Sequence, residues 1–151
     1  MTRLSMRFAD EQAYLDFWRQ HPALGPSVDG PQAEQVRAYL RHDLVPAEDG
    51  GLRSSCEVAE IRADGADVLT DQATLSAVRR AAAAGVPLEF VWAERGLQDE
   101  PTGLYDEQRL AALAVPEQVR VSHAADTNHY TVILGEQGVG VVADAVDRLL
   151  R

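Results

Sequence analysis

The feature that most constrains this chain is a pair of strand candidates set among helical patterns. Residues 86–92 form an apolar run with Pro87 near its start, where a missing ladder donor is tolerated. Residues 119–122 form a second, shorter run, and a helix is predicted between the two at 106–114. A right-handed β-α-β crossover makes two such strands parallel. Parallel sheets are normally larger and buried on both faces, so we expect part of a larger α/β fold.

The segment before these strands, up to about residue 62, is predicted to be all-helical. A first helix at 10–20 carries bulky aromatic side chains at i, i+3 and i+4, which gives one apolar stripe. A second helix is predicted at 31–41, with Pro31 in its first turn, where the missing N–H costs nothing. The members of the aromatic stripe are Tyr14, Phe17 and Trp18.

Turn and capping signals set the remaining boundaries. Residues 43–53 contain Pro46 and two successive glycines, which predicts a loop. The run Ser54-Ser55-Cys56-Glu57 fits a capping box, which predicts a short helix ending near residue 62. Longer amphipathic helices are predicted at 71–84, closed by a glycine, and at 138–150.

The charge balance excludes several classes of partner. The chain has 14 Lys+Arg against 24 Asp+Glu, a formal net charge of −10. An excess of acid argues against binding to nucleic acid or anionic membranes, because phosphate must be neutralised by basic side chains. No apolar stretch approaches the roughly 18 residues of a membrane span, and the first residues lack a signal-peptide pattern. Cys56 is the single cysteine, so no internal disulfide forms, and we expect a cytoplasmic protein.

Two residues are placed where chemistry is expected. Asp99 lies in the loop after the first strand, and His129 lies in the loop after the second. The loops at the carboxyl ends of neighbouring parallel strands converge on one crevice. An acid followed about 30 residues later by a histidine matches the later part of a Ser…Asp…His order. In such a set the imidazole acts as base and acid, and the carboxylate orients it.

At this point the chain resembles the C-terminal half of an α/β-hydrolase. The resemblance depends on strand 86–92 followed by Gly96-Leu97-Gln98-Asp99, and on Asn128-His129-Tyr130-Thr131-Val132 followed by a closing amphipathic helix. The helical N-terminal part is similar to the mobile cap of such enzymes. The resemblance implies a cap-like region at 1–66 and a β-α-β-α part of the core at 67–151. It also implies an esterase-type hydrolase without a cofactor, acting on a small ester-like substrate, in which the aromatic stripe roofs an acyl pocket.

The nucleophile that this family requires is missing from its expected context. The enzymes carry a serine in Gly-x-Ser-x-Gly on a strand-to-helix turn. The nearest string here is Gly25-Pro26-Ser27-Val28-Asp29, which lacks the final glycine and a preceding strand. Loss of a triad serine costs on the order of 10⁶ in kcat. We therefore interpret the chain as a truncated hydrolase that is silent by itself.

Structural explanations remain open for these site residues. The position of His129 is also typical of a loop histidine that bonds its own backbone. If Asp99 does not orient it, the nearby acids are Glu94, Glu100 and Asp106. The aromatic stripe is equally typical of a hydrophobic core, and Cys56 of a small buried hydrophobe.

Two other classes of protein also remain open. In one, a non-catalytic binding module buries its strand edge or cap by forming a homo-oligomer. In the other, His123-x-x-Asp126-x-x-His129 contributes to the metal site of a small hydrolase, although i and i+6 point apart on a helix.

Overall fold

The computed structural model describes residues 3–151. Its N-terminal part is mainly helical, as the sequence predicts, and holds three short strands as well. A single 3₁₀ turn at Arg3–Ser5 precedes them. The elements that follow are β1 (Arg7–Phe8), α1 (Glu11–Arg19), α2 (Gly25–Val28), α3 (Ala33–His42), β2 (Leu44–Pro46) and β3 (Leu52–Ser54).

Helix α1 confirms the helix predicted at 10–20. Asp10 is its N-cap, and the Asp10 carboxylate accepts a hydrogen bond from the Ala13 amide at 2.8 Å. The aromatic stripe turns inward, and Tyr14 and Trp18 are buried. Helix α3 confirms the helix predicted at 31–41, shifted by one or two residues.

The prediction of an all-helical segment up to residue 62 is wrong. Strands β2 and β3 form an antiparallel hairpin in which Val45 lies opposite Arg53. The turn between them uses Gly50 and Gly51, whose φ angles of 95° and 75° suit glycine. Strand β1 pairs with the other side of β3 to give the order β1-β3-β2. Strands of two or three residues are too short to show an alternating pattern, which is why they were missed.

The capping box predicted at residues 54–57 is also wrong. Ser54 ends β3, and its hydroxyl accepts from the Cys56 amide at 3.3 Å. Glu57 is itself the N-cap residue, and its carboxylate pairs with Arg53 at 2.8 Å. Helix α4 (Val58–Thr70) then runs well past residue 62, and α5 (Gln72–Ala83) follows it.

The C-terminal part confirms the predicted pair of parallel strands. Strands β4 (Leu88–Ala93) and β5 (Val119–Ala124) pair in parallel over six residues each. Helix α6 (Glu107–Leu113) lies between them in sequence, and α7 (Thr131–Leu134) and α8 (Glu136–Leu149) follow β5. Helix α8 begins two residues before the closing helix predicted at 138–150. The Arg148 guanidinium binds Glu89 at 2.8 and 2.9 Å, which fastens α8 to one face of the sheet.

The buried hydrophobic cluster lies in the N-terminal part of the described chain. Its buried members are Phe8, Tyr14, Leu15, Trp18, Leu24, Val28, Val36 and Leu40. Beyond residue 60, the buried hydrophobic side chains are Ala82, Val119, Ala124 and Ala145. Among the residues that the structure describes, no helix has both the length and the apolar content that crossing a membrane requires.

Candidate active site at the carboxyl ends of the parallel strands

A small cavity opens where β4 and β5 end. Its volume is about 230 Å³, and most of its lining is apolar. Two of the lining residues carry basic side chains, His129 in the loop after β5 and Arg95 in the loop after β4. The apolar lining comes from Val91, Trp92, Ala93, Leu104, Tyr105 and Val132. An apolar pocket with a few convergent polar groups at strand ends is typical of a binding or catalytic site.

His129 lies in the turn between β5 and α7, where the sequence predicts it. Its side chain is exposed, and its ring stands edge-on to Tyr130 with centroids 5.3 Å apart. The imidazole is therefore accessible from solvent and borders the cavity. Such a position suits a group that exchanges protons with a bound molecule.

The residue before His129 holds the turn in place. Asn128 is buried, and its side-chain oxygen accepts from the amides of Tyr130 and Thr131, both at 3.0 Å. Its side-chain nitrogen donates to the Ala23 carbonyl and to Asp99, both at 2.9 Å. One side chain thus joins the N-terminal region, the loop after β4 and the turn that carries His129.

Asp99 lies in the loop after β4, and its hydrogen bonds go to Arg95 and Asn128. Its Oδ1 accepts from Arg95 Nε at 2.8 Å and from Asn128 Nδ2 at 2.9 Å. The Arg95 guanidinium, and after it the Asn128 amide, hold the pKa of the Asp99 carboxyl below its usual value. Asp99 adopts a left-handed backbone with φ of 62°, a conformation that aspartate tolerates better than most residues. No hydrogen bond joins Asp99 to His129, so the two residues are linked through Asn128.

The other acids near the site have structural partners. Glu94 accepts from the Asp126 amide at 2.6 Å and so ties the two strand-end loops together. Glu100 accepts from the Gln98 amide at 2.8 Å within its own loop. Asp106 is the N-cap of α6 and accepts from the Arg109 amide at 2.7 Å.

The aromatic stripe of α1 packs toward the strand-end loops from the inside of the core. Tyr14 is 1% exposed and Trp18 is 6% exposed, and Phe17 packs at the margin of the same cluster. Trp18 meets Tyr130 edge-on with centroids 6.0 Å apart. The stripe therefore supports the residue after His129.

A second contact between the two parts of the chain comes from a histidine that sequence reasoning did not assign. His21 Nε2 lies 3.1 Å from Gln98 Nε2, and the His21 ring stands edge-on to Tyr130 at 5.2 Å. Burial lowers the pKa of the His21 imidazole below its usual value. The N-terminal region is thus anchored to both strand-end loops.

The other two members of the His-x-x-Asp-x-x-His string, His123 and Asp126, lie in different local settings. His123 stacks on Trp92 with centroids 4.0 Å apart, on the sheet itself. Asp126 occupies a turn with φ of 55°. Across residues 3–151, the structure brings no three His, Cys, Asp or Glu side chains into an arrangement that holds a metal ion.

The serine nearest to a nucleophile motif lies in a helical setting. Ser27 belongs to α2, and the Ser27 amide donates to the Leu24 carbonyl at 2.9 Å. The element before it is α1, and a nucleophile elbow instead follows a strand.

The fold is α/β, with a candidate site at the ends of two parallel strands, and it corresponds to part of an α/β-hydrolase fold. Among solved structures, the chain is similar to E-2-(acetamidomethylene)succinate hydrolase, with a TM-score of 0.68 and 20% sequence identity. The alignment covers 97% of this chain and 47% of that chain, so the present chain spans about half the length of the hydrolase. No family model matches the sequence, and no curated protein matches it.

Proposed function

We propose that this chain is the cap and C-terminal part of an esterase-type α/β-hydrolase and supplies its base, His129. The observation that carries the proposal is the accessible His129 imidazole beside a mostly apolar cavity of about 230 Å³ at the ends of two parallel strands. The similarity to a hydrolase over 97% of the chain supports the same interpretation. The substrate class we propose is a small ester-like molecule.

In this proposal His129 takes a proton from the attacking hydroxyl and returns it to the leaving group. Asp99 and Asn128 position His129 indirectly, through hydrogen bonds that fix the backbone of its turn. The ionised carboxylate holds Asn128, and Asn128 fixes the turn in which His129 lies. Arg95 and Asn128 both bind Oδ1 of Asp99, so a direct contact with the imidazole would fall to Oδ2.

The nucleophile is supplied from outside these 151 residues in this proposal. Ser27 lies in a helical turn, and its chain context differs from the strained turn that activates a serine. The chain alone should therefore be inert as a hydrolase, because a base without a nucleophile supports no acyl transfer.

The experiment combines a fluorophosphonate probe, which labels activated serines, with p-nitrophenyl acetate turnover by the purified chain. We expect no labelling, and turnover no faster than that given by free imidazole at the same concentration. Ser27→Ala serves as the matched variant and should behave like the parent chain. Labelling that disappears in Ser27→Ala would overturn the proposal.

A second candidate function is a non-catalytic module that assembles with another chain or with its own copies. The observation that favours it is the number of large hydrophobic side chains that are exposed. All of them except Tyr39 lie beyond residue 60, so the exposed apolar surface belongs to the C-terminal part of the chain. Apolar surface of this extent marks an interaction site. Sedimentation velocity tests self-assembly, because a module of this kind should sediment as a dimer or larger species.

A further inference from the structure

His21 lies in the loop between α1 and α2, and both nitrogens of its ring have partners. Nδ1 accepts a hydrogen bond from the Ala23 amide at 3.3 Å, and Nε2 lies 3.1 Å from the side-chain amide of Gln98. A backbone amide can only donate, so Nδ1 carries no proton in this arrangement. In the neutral ring the proton is therefore on Nε2, and the Gln98 amide accepts it when its oxygen is turned toward the ring. The contacts thus define one tautomer of a neutral His21.

A proton on Nδ1 would take the acceptor away from the Ala23 amide. Within residues 3–151, the His21 ring is the acceptor that the structure gives this amide, and Ala23 is 3% exposed. Two N–H groups would then face each other, and a buried donor would be left unpaired, which costs free energy. Burial also lowers the pKa of the His21 imidazole below its usual value, so the neutral form is present at neutral pH.

The Ala23 carbonyl connects this loop to the turn that carries His129. It accepts from Asn128 Nδ2 at 2.9 Å, and Asn128 Oδ1 accepts from the Tyr130 and Thr131 amides. The amide and the carbonyl of Ala23 flank one Cα atom, so a displacement at the His21 bond is passed to the Asn128 bond. A continuous series of hydrogen bonds therefore runs from the His21 ring to the turn of His129.

The Tyr130 ring gives a second connection between the two histidines. It meets the His21 ring edge-on with centroids 5.2 Å apart and the His129 ring edge-on with centroids 5.3 Å apart. The Trp18 ring lies 5.2 Å from the His21 ring and 6.0 Å from the Tyr130 ring, so it packs against both. A change in the position of His21 is therefore felt on the aromatic side of the same turn.

The charged groups of the segments around His21 are bound to partners of their own. Arg19 of α1 binds Asp16 and Asp29, and Asp99, next to Gln98 in the chain, binds Arg95. The other titratable groups of these segments are Glu100, His129 and Tyr130. Burial, and not a neighbouring charge, is what shifts the pKa of His21.

We propose that neutral His21 is a positioning residue for His129, and that a proton on its Nδ1 loosens the turn in which His129 lies. This inference rests on the proposed function in one respect, because it takes His129 to be the base. The alternative is that His21 only fills space beside Trp18 and Tyr130. In that case an aromatic ring without nitrogens would serve equally well.

Three substitutions separate the parts of the His21 ring. His21→Asn keeps an acceptor for the Ala23 amide, because asparagine accepts from the amide two residues later, and it does not titrate. His21→Gln places an amide near the Nε2 position and so keeps a partner for Gln98, without the acceptor at Nδ1. His21→Phe keeps the ring and neither nitrogen.

The experiment is nuclear magnetic resonance of the isotope-labelled 151-residue chain. It measures the tautomer of His21 and the hydrogen-exchange protection of the Tyr130 and Thr131 amides. At about pH 8 we expect the His21 proton on Nε2, since this pH is well above the ordinary pKa of histidine. As His21 gains its second proton, the protection of the two amides should fall by about fivefold or more, the equivalent of one net hydrogen bond.

The variants should divide according to the acceptor at Nδ1. His21→Asn should keep the protection within about twofold of the parent and lose none of it on acidification, because the bond to Ala23 persists. His21→Gln and His21→Phe should lose about fivefold at every pH, because that bond is absent. The titration is repeated in His129→Gln, since His129 is adjacent to the same amides, and the loss should still follow the protonation of His21.

Three results would overturn the inference: a neutral His21 with its proton on Nδ1, equal protection in His21→Asn and His21→Gln, or a His21→Phe chain that behaves like the parent. No ester is present in these measurements, so their failure is distinct from failure of the proposed function. If the link is found and His129 proves not to be a base, the proposed function is overturned and His21 still positions the turn.

Discussion

Removal of the Asn128 side chain should destabilise the fold far more than its size suggests. Asn128 is 3% exposed and makes four side-chain hydrogen bonds, two as acceptor and two as donor. A net value near 1 kcal/mol for each bond gives a loss of about 3 to 4 kcal/mol for Asn128→Ala. The substitution also leaves the buried Ala23 carbonyl without that donor.

Urea unfolding followed by far-UV circular dichroism measures this loss by linear extrapolation. Gln118→Ala is the control, because Gln118 is exposed and surface substitutions of this kind stay within about 0.5 kcal/mol. A loss of less than about 1 kcal/mol for Asn128→Ala would refute the reasoning, since it would mean that water replaces the four bonds without cost.

A pair of substitutions at Asn128 and Asp99 tests the hydrogen bond between these two side chains separately from the other bonds of Asn128. Asn128→Asp keeps the acceptor for the Tyr130 and Thr131 amides but loses both donors and sets two carboxylates together. Adding Asp99→Asn restores a donor between the two side chains. We expect the double variant to be more stable than Asn128→Asp alone, and no recovery would show that the contact contributes little.

Three further outcomes follow from the local structure. Gly138→Ala should lower the free energy of unfolding by about 1 to 3 kcal/mol, because the new Cβ would lie 2.4 Å from a backbone carbonyl oxygen. Gly140→Ala in the same helix meets nothing within 4 Å and should raise it by up to about 1 kcal/mol. Urea unfolding of both variants measures the difference. Because burial lowers the pKa of His21, its stabilising contribution to the fold is complete above the ordinary pKa of 6.5 and declines as pH falls below that value. His21→Gln should therefore flatten this part of the curve of stability against pH. Hydrogen bonds from Arg19 and Arg37 lower the pKa of Asp29 to about 2. The stabilising contribution of Asp29 to the fold is therefore present above about pH 4 and is lost as pH falls through 2. Asp29→Asn should remove this part of the decline of the urea midpoint at acid pH.

The parallel strands and α1 could be predicted because they are long and periodic. The apolar run at 86–92 and the aromatic spacing of α1 each repeat over several residues, and both elements form. Strands β1 to β3 could not be predicted, because two or three residues carry no period and their pairing joins Arg7 to Arg53 across the chain. The capping-box prediction is wrong because Ser54 ends β3, where it pairs with Leu44 of β2.

The loops in which Asp99 and His129 lie could be predicted, but the hydrogen bonds of these loops could not. His129 and Asp99 lie in the strand-end loops where the order of elements puts them. The role of Asn128 depends on partners 29 and 105 residues away, which no local pattern reveals. A partial signal exists, because asparagine is favoured where a side chain accepts from amides two and three residues later.

The most direct test of the central claim measures ester turnover by two histidine variants of this chain, each co-expressed with a polypeptide that carries the Gly-x-Ser-x-Gly turn. His129→Ala removes the proposed base, whereas His42→Ala removes an exposed histidine at the end of α3. If His129 is the base, its loss should lower kcat by about 10² or more, and His42→Ala should stay within a few-fold of the parent protein. Ester turnover that is equal in the two variants would contradict the account.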